Sequence, residues 1–204
     1  MDTWVREYVS SPHPQIGRHG PVCPFVPQAV KREAFRLTCR YDAIEQGGPR
    51  LVEILEEEIA DFAADIRRQP KSAVSLECRL VVLAATGPGD WRLIDEAYSG
   101  LKDRAVANGL MIGQFHPLCD ERAARNQAFR VSLAPMGLLA IRMMAPHDVL
   151  FLHGRRSWFE QYDYRFGSLY LKAQFSDTGM RKLYLDALER YGNENRSLAE
   201  EGPE

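Results

Sequence analysis

Residues 73–85 read AVSLECRLVVLAA. The run is too rich in β-forming side chains for a helix, and it predicts a central strand. Upstream, FRLTCRYD (35–42) alternates and holds aromatic and β-branched members, which predicts a second strand. Between the two, Leu51, Leu55, Ile59, Phe62 and Ile66 recur at spacings of four and three. That is one apolar helical stripe, with Glu53, Glu56, Glu57 and Asp61 largely off it. Gly47-Gly48-Pro49 opens this helix, Arg67 and Arg68 suit its C-terminal dipole, and Pro70 stops it. The three glutamates at 56–58 read as a solvated face.

Downstream, TGPGD (86–90) is a turn, and Asp90 caps a helix that buries Trp91, Ile94, Tyr98, Leu101 and Ala105. Asn108-Gly109 ends that helix. LMIGQF (110–115) and MGLLAIRMM (136–144) read as strands, joined by a polar, arginine-rich connection. Ser157 with Glu160 predicts a capping box ahead of Trp158, Phe159, Tyr162 and Phe166, with Gly167 ending that helix. A last helix sets Met180, Leu183 or Tyr184, Ala187 and Tyr191 on one face.

The order β-α-β-α-β-β-α-α predicts an α+β fold. The expectation is a single domain over 1–192, with a mixed, mostly antiparallel sheet and helices packed on it. Residues 1–34 form its Pro-rich N-terminal cover segment. WVREYV makes a short helix there, and Pro12, Pro14, Pro21, Pro24 and Pro27 stiffen the chain after it. Val22, Phe25 and Val26 predict that the segment packs on the core. The tail over 193–204 is polar and acidic, and disorder is expected there.

The 204 residues carry 26 basic and 28 acidic side chains, a net charge of −2. That balance provides no basic stripe for nucleic acid and no polybasic membrane anchor. The apolar runs fall far short of the roughly 20 residues of a membrane helix. MDTWVREYVSSPHP lacks an apolar signal core, so a cytoplasmic protein is expected. A small-molecule substrate is the expected partner, with a homodimer left open. The four cysteines, at 23, 39, 78 and 119, form no CxxC pair, which disfavours a zinc ribbon and a thioredoxin-like motif. Cys39 and Cys78 sit in strand-like runs and read as small buried hydrophobes. Cys23 and Cys119 lie near Pro and His and stay candidates.

No P-loop, no GxGxxG, no GxSxG and no HExxH is present. One dense polar segment remains, Gly113 to Asn126, which leaves the end of a predicted strand. Three readings compete for its His116. As a structural histidine it bonds loop carbonyls, the default for a lone imidazole. As a zinc ligand it joins Cys119 and Cys23, with no evident fourth ligand. As a haem ligand it needs an apolar pocket and cations for the propionates, which Arg122, Arg125, Arg130 and Arg142 would supply. Cys23, Phe25, Gln114 and Tyr164 are the candidate pocket residues. His13, His19, His147 and His153 read as surface or turn residues, and Met143 and Met144 as core with an axial ligand left open.

His116-Pro117-x-x-x-x-Arg122-x-x-Arg125, followed by Phe129, resembles the HPxxSRxARRFP segment of the YqcI/YcgG family. Val22-Cys23-Pro24-Phe25, followed by Ala29, resembles that family's Phe-Pro-Cys segment and downstream Ala. GRHGPVCPFVPQAV, GLMIGQFHP, APMGLLAIRMMAPHD and YDYRFG look like an uncharacterised bacterial domain family often encoded near natural-product pathways. This closer likeness covers most of residues 11–167. The YqcI/YcgG family includes haem proteins, one of which cleaves N-hydroxyarginine to hydroxyurea in an antibiotic pathway. The resemblance implies His116 as iron ligand, with Arg122 and Arg125 serving the propionates. The chain departs from the pattern: its histidine-to-arginine spacing is one residue longer, Glu121 replaces a Ser, and MGLLAIRMM is unlike LVFNxHEQF. The expected function is a haem-dependent oxidative enzyme acting on a small nitrogenous or amino-acid-derived substrate in natural-product biosynthesis. The alternatives are a non-catalytic binding or carrier-docking protein and, behind it, a zinc or thiol enzyme using Cys23 and Cys119.

Overall fold

The computed structural model describes residues 1–44, 47–69, 74–84, 87–172, 174 and 176–200, with 171 and 193–200 described by backbone alone. These group into two units, Met1–Met143 and Met144–Glu204. The fold is α+β, and its main sheet is mixed and mostly antiparallel.

The first unit opens with a short helix α1 (Asp2–Trp4), a π-turn over Val5–Val9 and a 3-10 turn over Pro14–Ile16. Helix α2 (Val26–Lys31) comes next, with Pro27 in its first turn, where the sequence alone predicts irregular chain. After it run β1 (Phe35–Arg40), α3 (Gly47–Arg67), β2 (Cys78–Leu83), α4 (Pro88–Ala107) and β3 (Leu110–Phe115). A hairpin of β4 (Arg122–Ala123) and β5 (Asn126–Arg130) precedes β6 (Leu138–Met143). The expected strand over 73–85 is shorter: Val74–Leu76 form a 3-10 turn, and pairing begins where the Cys78 N–H donates to the Ala34 carbonyl. Residues 70–73 and 85–86, including the expected stop at Pro70, lie outside the described residues.

Sheet order is β1-β2-β6-β3. β1 and β2 are parallel, and β6 runs antiparallel to both β2 and β3. The direction follows from the connections. α3 and α4 each return the chain to the end it left, so three strands share one direction, while β6 enters from the hairpin and runs against them. β2 is central and apolar at both parities because both of its faces are covered. Val81 and Leu83 meet Leu55, Ile59 and Ile94 of α3 and α4 on one face. Leu80 meets Val5, Val9 and Val26 of the N-terminal segment on the other. That segment is also bonded in place, with the Trp4 indole donating to the Leu133 carbonyl and the Tyr8 hydroxyl to the Val131 carbonyl, each at 2.9 Å. Gly17 sits at φ +77°, and a Cβ there would lie 2.8 Å from the Arg125 carbonyl oxygen, so only glycine lets the segment close on the hairpin turn.

The second unit holds α5 (Val149–Leu152), α6 (Arg156–Leu171) and α7 (Thr178–Glu200). α6 starts one residue before Ser157, so the expected capping box is not its N-terminus, and it runs through Gly167 rather than ending there. Gly167 answers to space: a Cβ would collide with Asp163 Oδ1 and lie 3.0 Å from the Tyr184 hydroxyl. The backbone of α7 continues into the segment expected to be disordered, and residues 201–204 lie outside the described residues. Among the described residues, no helix is long and apolar enough to cross a membrane.

Candidate functional site

α4 begins after Gly87 with Pro88 in its first turn, and the Asp90 carboxylate accepts from the Gly87 N–H at 3.2 Å. From that start, Trp91, Asp95 and Tyr98 fall at i, i+4 and i+7, on one helix face. In β3, alternation turns Ile112 and Gln114 toward α4, while Phe115 turns to the N-terminal cover and packs edge-on against Trp4 at 5.4 Å. His116 continues the α4-facing series. Its carbonyl accepts from Cys119 N at 3.2 Å and Ala134 N at 3.3 Å, and it bridges to Leu133. The backbone after the strand is therefore pinned on both sides.

His116 is only 1% exposed. Nε2 lies 2.9 Å from Asp95 Oδ1, and Nδ1 accepts from the Leu118 N–H at 3.3 Å. That pair of bonds assigns the proton to Nε2, which donates to the carboxylate. The Trp91 ring lies nearly parallel to the imidazole, with centroids 6.1 Å apart and 15° between planes. Cys119 is fully buried, and its Sγ is 3.8 Å from the Gln114 carbonyl oxygen. One donor atom each from Asp95, His116 and Cys119 lies within 4.8 Å of the others. Asp95, with 46% of its side chain exposed, is the solvent side of the cluster.

Burial and then the negative charges of Asp95, Glu121 and Asp120 push the Cys119 thiol up to about 11, against a lowering bond from the Glu121 backbone. As placed, the thiol is a poor nucleophile, because the thiolate is the reactive form. The same surroundings favour a cation. Burial, with smaller contributions from Glu121 and Cys119, also raises the Tyr98 phenol well above its ordinary value.

The structure brings His116, Gln114 and Cys119 together and adds Asp95, Trp91 and Tyr98, which sequence reasoning did not select as site residues. Arg142 and Cys23 are placed apart from this cluster. Arg142 is paired in register with Cys78 and Met111, on the sheet face away from α4, with its guanidinium 4.6 Å over the Phe25 ring. Cys23 packs on that same far face, so it does not join Cys119 in a zinc set. Arg122 is ion-paired with Asp120 at 2.5 Å, and Arg125 lies beside the hairpin turn, its carbonyl against Gly17. Tyr164, in the second unit, is 87% exposed. His13 stacks on Phe129 at 4.4 Å.

A haem iron on His116 finds neither ring nitrogen open. Nε2 is held by Asp95, Nδ1 accepts from Leu118, and Trp91 covers one ring face. Arg142 is on the opposite face of the sheet, and Arg122 already holds a carboxylate. As placed, these residues do not fit haem.

A family model matches residues 1–177, with the description "Domain of unknown function (DUF6875)". No curated protein and no solved structure matches the chain.

Proposed function

From the premise that this chain belongs to the DUF6875 family, we propose that it is a metal-dependent enzyme of small-molecule metabolism in which Asp95, His116 and Cys119 hold one ion of the zinc class. The observation that carries the reading is the convergence of a carboxylate oxygen, an imidazole nitrogen and a sulfur within 4.8 Å, drawn from α4 and from the turn after β3. Zinc takes oxygen, nitrogen and sulfur at about 2.0–2.3 Å, so tetrahedral geometry sets such donors about 3.4–3.6 Å apart. The Asp95–His116 distance of 2.9 Å lies just inside that spacing, and the 4.8 Å envelope lies outside it. Side-chain adjustment closes the difference.

With an ion on Nε2, the single ring proton would sit on Nδ1 instead, and the Leu118 N–H contact would open. Trp91, lying nearly parallel to the ring, would hold the imidazole plane. Three protein ligands leave a fourth position, the pattern of catalytic rather than structural zinc sites. When bound, the ion supplies Lewis acidity and a water that ionises near neutral pH. Asp95, half open to solvent, marks the side from which a substrate approaches. The small nitrogenous or amino-acid-derived substrate, the natural-product setting and the cytoplasmic location belong to this reading. They are supported by the resemblances of the quoted segments and by the composition.

The competing reading is the haem-dependent oxidative enzyme. It is favoured by the likeness of His116, Arg122 and Arg125 to the YqcI/YcgG motif, and it requires His116 to give up Asp95. One preparation separates the two. Protein from cells supplied with δ-aminolevulinate and zinc is examined by metal analysis and by its absorption spectrum. A colourless protein with one zinc per chain, lost in His116→Ala and Cys119→Ser, is the expected result. A Soret band that His116→Ala abolishes replaces zinc with haem. A folded protein with neither, insensitive to His116→Ala, supports a non-catalytic accessory protein.

A further inference from the structure

Two polar atoms beside the metal cluster are shielded from solvent and have no hydrogen-bond partner among the described residues: the indole Nε1 of Trp91 and the side-chain oxygen of Gln114. Folded chains keep few such atoms, because each loses its bond to water and gains nothing in return. Neither belongs to a random patch of core. Trp91 stacks on the His116 ring, and Gln114 precedes His116 by two residues on the same strand face, with its backbone oxygen against Cys119 Sγ. One atom is a donor only, and the other is an acceptor.

The chemistry of a matching ligand comes from these roles and from the local charge. The indole N–H calls for an acceptor, and the Gln114 oxygen calls for an N–H or O–H. Asp95, Glu121 and Asp120 all act on Cys119, and among the described residues Asp120 is the one that a guanidinium, Arg122, offsets. Without a metal, an anionic ligand would face Asp95 and Glu121, so carboxylates and phosphates are disfavoured in the zinc-free protein. Among the uncharged groups that offer an acceptor and a donor on one small frame, a carboxamide is the one that suits a small nitrogenous substrate.

We propose that Trp91 and Gln114 form a subsite for an uncharged carboxamide, whose oxygen accepts from Trp91 Nε1 and whose N–H donates to Gln114 Oε1, beside the Asp95–His116–Cys119 centre. The inference rests on the metal reading for what the rest of the ligand meets, and on the two atoms alone for its hydrogen bonds. It narrows a small nitrogenous substrate to an amide.

The test uses ¹⁵N-labelled full-length protein, zinc-loaded and zinc-free, titrated with benzamide and separately with benzoate. Trp91→Phe identifies the Trp91 indole signal among those of Trp4, Trp91 and Trp158. Benzamide is expected to shift the Trp91 indole and Gln114 side-chain signals saturably, and benzoate is expected to leave them unmoved in the zinc-free protein. Trp91→Phe and Gln114→Met should each weaken benzamide by about fivefold, the worth of one neutral hydrogen bond. Both variants should unfold cooperatively, Gln114→Met at a slightly higher temperature than wild type because it removes an unmatched oxygen. Signals that stay still with benzamide, or that move equally with benzoate in the zinc-free protein, overturn the subsite. The two proposals fail separately: a protein that takes up no zinc but responds to benzamide sinks the metal centre alone, and a zinc-loaded protein blind to benzamide sinks the subsite alone.

Discussion

In the second unit, Tyr162 donates to the Pro146 carbonyl at 2.5 Å and shares a 2.6 Å bond with Tyr170, while Tyr184 donates to Asp163 at 2.5 Å. Tyr170 and Tyr184 stack with centroids 3.9 Å apart. In the first unit, the group around His116 is as deeply buried at its centre, yet it leaves the Trp91 indole and the Gln114 oxygen unmatched among the described residues and packs a protonated thiol among carboxylates. The tyrosines complete their own bonds, so their polarity serves packing. The His116 group does not, and that separates a structural polar core from a site built to receive something. Burial raises both the Tyr162 and the Tyr184 phenols, the first helped by Tyr170 and the second by Asp163, so both stay protonated donors.

The largest expected effect tests the closed character of the tyrosine cluster. Helix propensity alone favours Gly167→Ala by about 1 kcal/mol. The added Cβ collides with Asp163 Oδ1 and displaces the acceptor of Tyr184. Overpacking plus the loss of a charged hydrogen bond outweighs propensity, for a net loss of about 3 kcal/mol in urea unfolding. A neutral or stabilising result would show that the cluster has slack. Next, zinc at a hundredfold excess over its Kd should stabilise wild type by about 2.7 kcal/mol. Cys119→Ser should abolish that response, while Gly167→Ala should retain it. A response that survives Cys119→Ser places the metal elsewhere. Third, Tyr162→Phe leaves the Pro146 carbonyl without its donor and should cost about 2 kcal/mol, read from the same unfolding curves. The smallest effect has the opposite sign. Gln114→Met removes an unmatched oxygen at similar volume and should gain about 1 kcal/mol. A loss of that size would mean that Gln114 bonds as fully as the tyrosines do, and the contrast would fail.

The apolar periodicities of α3 and α4 and the β-rich runs of β1, β2, β3 and β6 were legible because each pattern points to a face that must be buried. The hairpin β4–β5 was not. Its polar, arginine-rich sequence carries no alternation, and its pairing depends on Val131 and Arg130 returning beside Glu121 and Arg122. Gly167 misled for a related reason: in sequence a glycine near the end of a helical run reads as a terminus, whereas here its missing side chain makes room for Asp163 and Tyr184. Of the site, His116, Cys119 and Gln114 could be picked from one dense polar segment. Asp95 could not, because between Ile94 and Glu96 it looks like any surface acid.

By itself, then, the sequence determined the α+β class, the main strands and helices, and the segment in which the chemistry gathers, since these rest on local periodicity and on which residue types can titrate or ligate. Which partners that segment meets follows instead from how the elements pack in space. Asp95 and Trp91 come to His116 because α4 crosses one face of the sheet, whereas alternation along β6 turns Arg142 to the other face, where the N-terminal segment brings Phe25 and Cys23. A side chain's chemistry is written in its own residue, but its neighbours are set by the faces on which strands and helices bury their apolar surfaces.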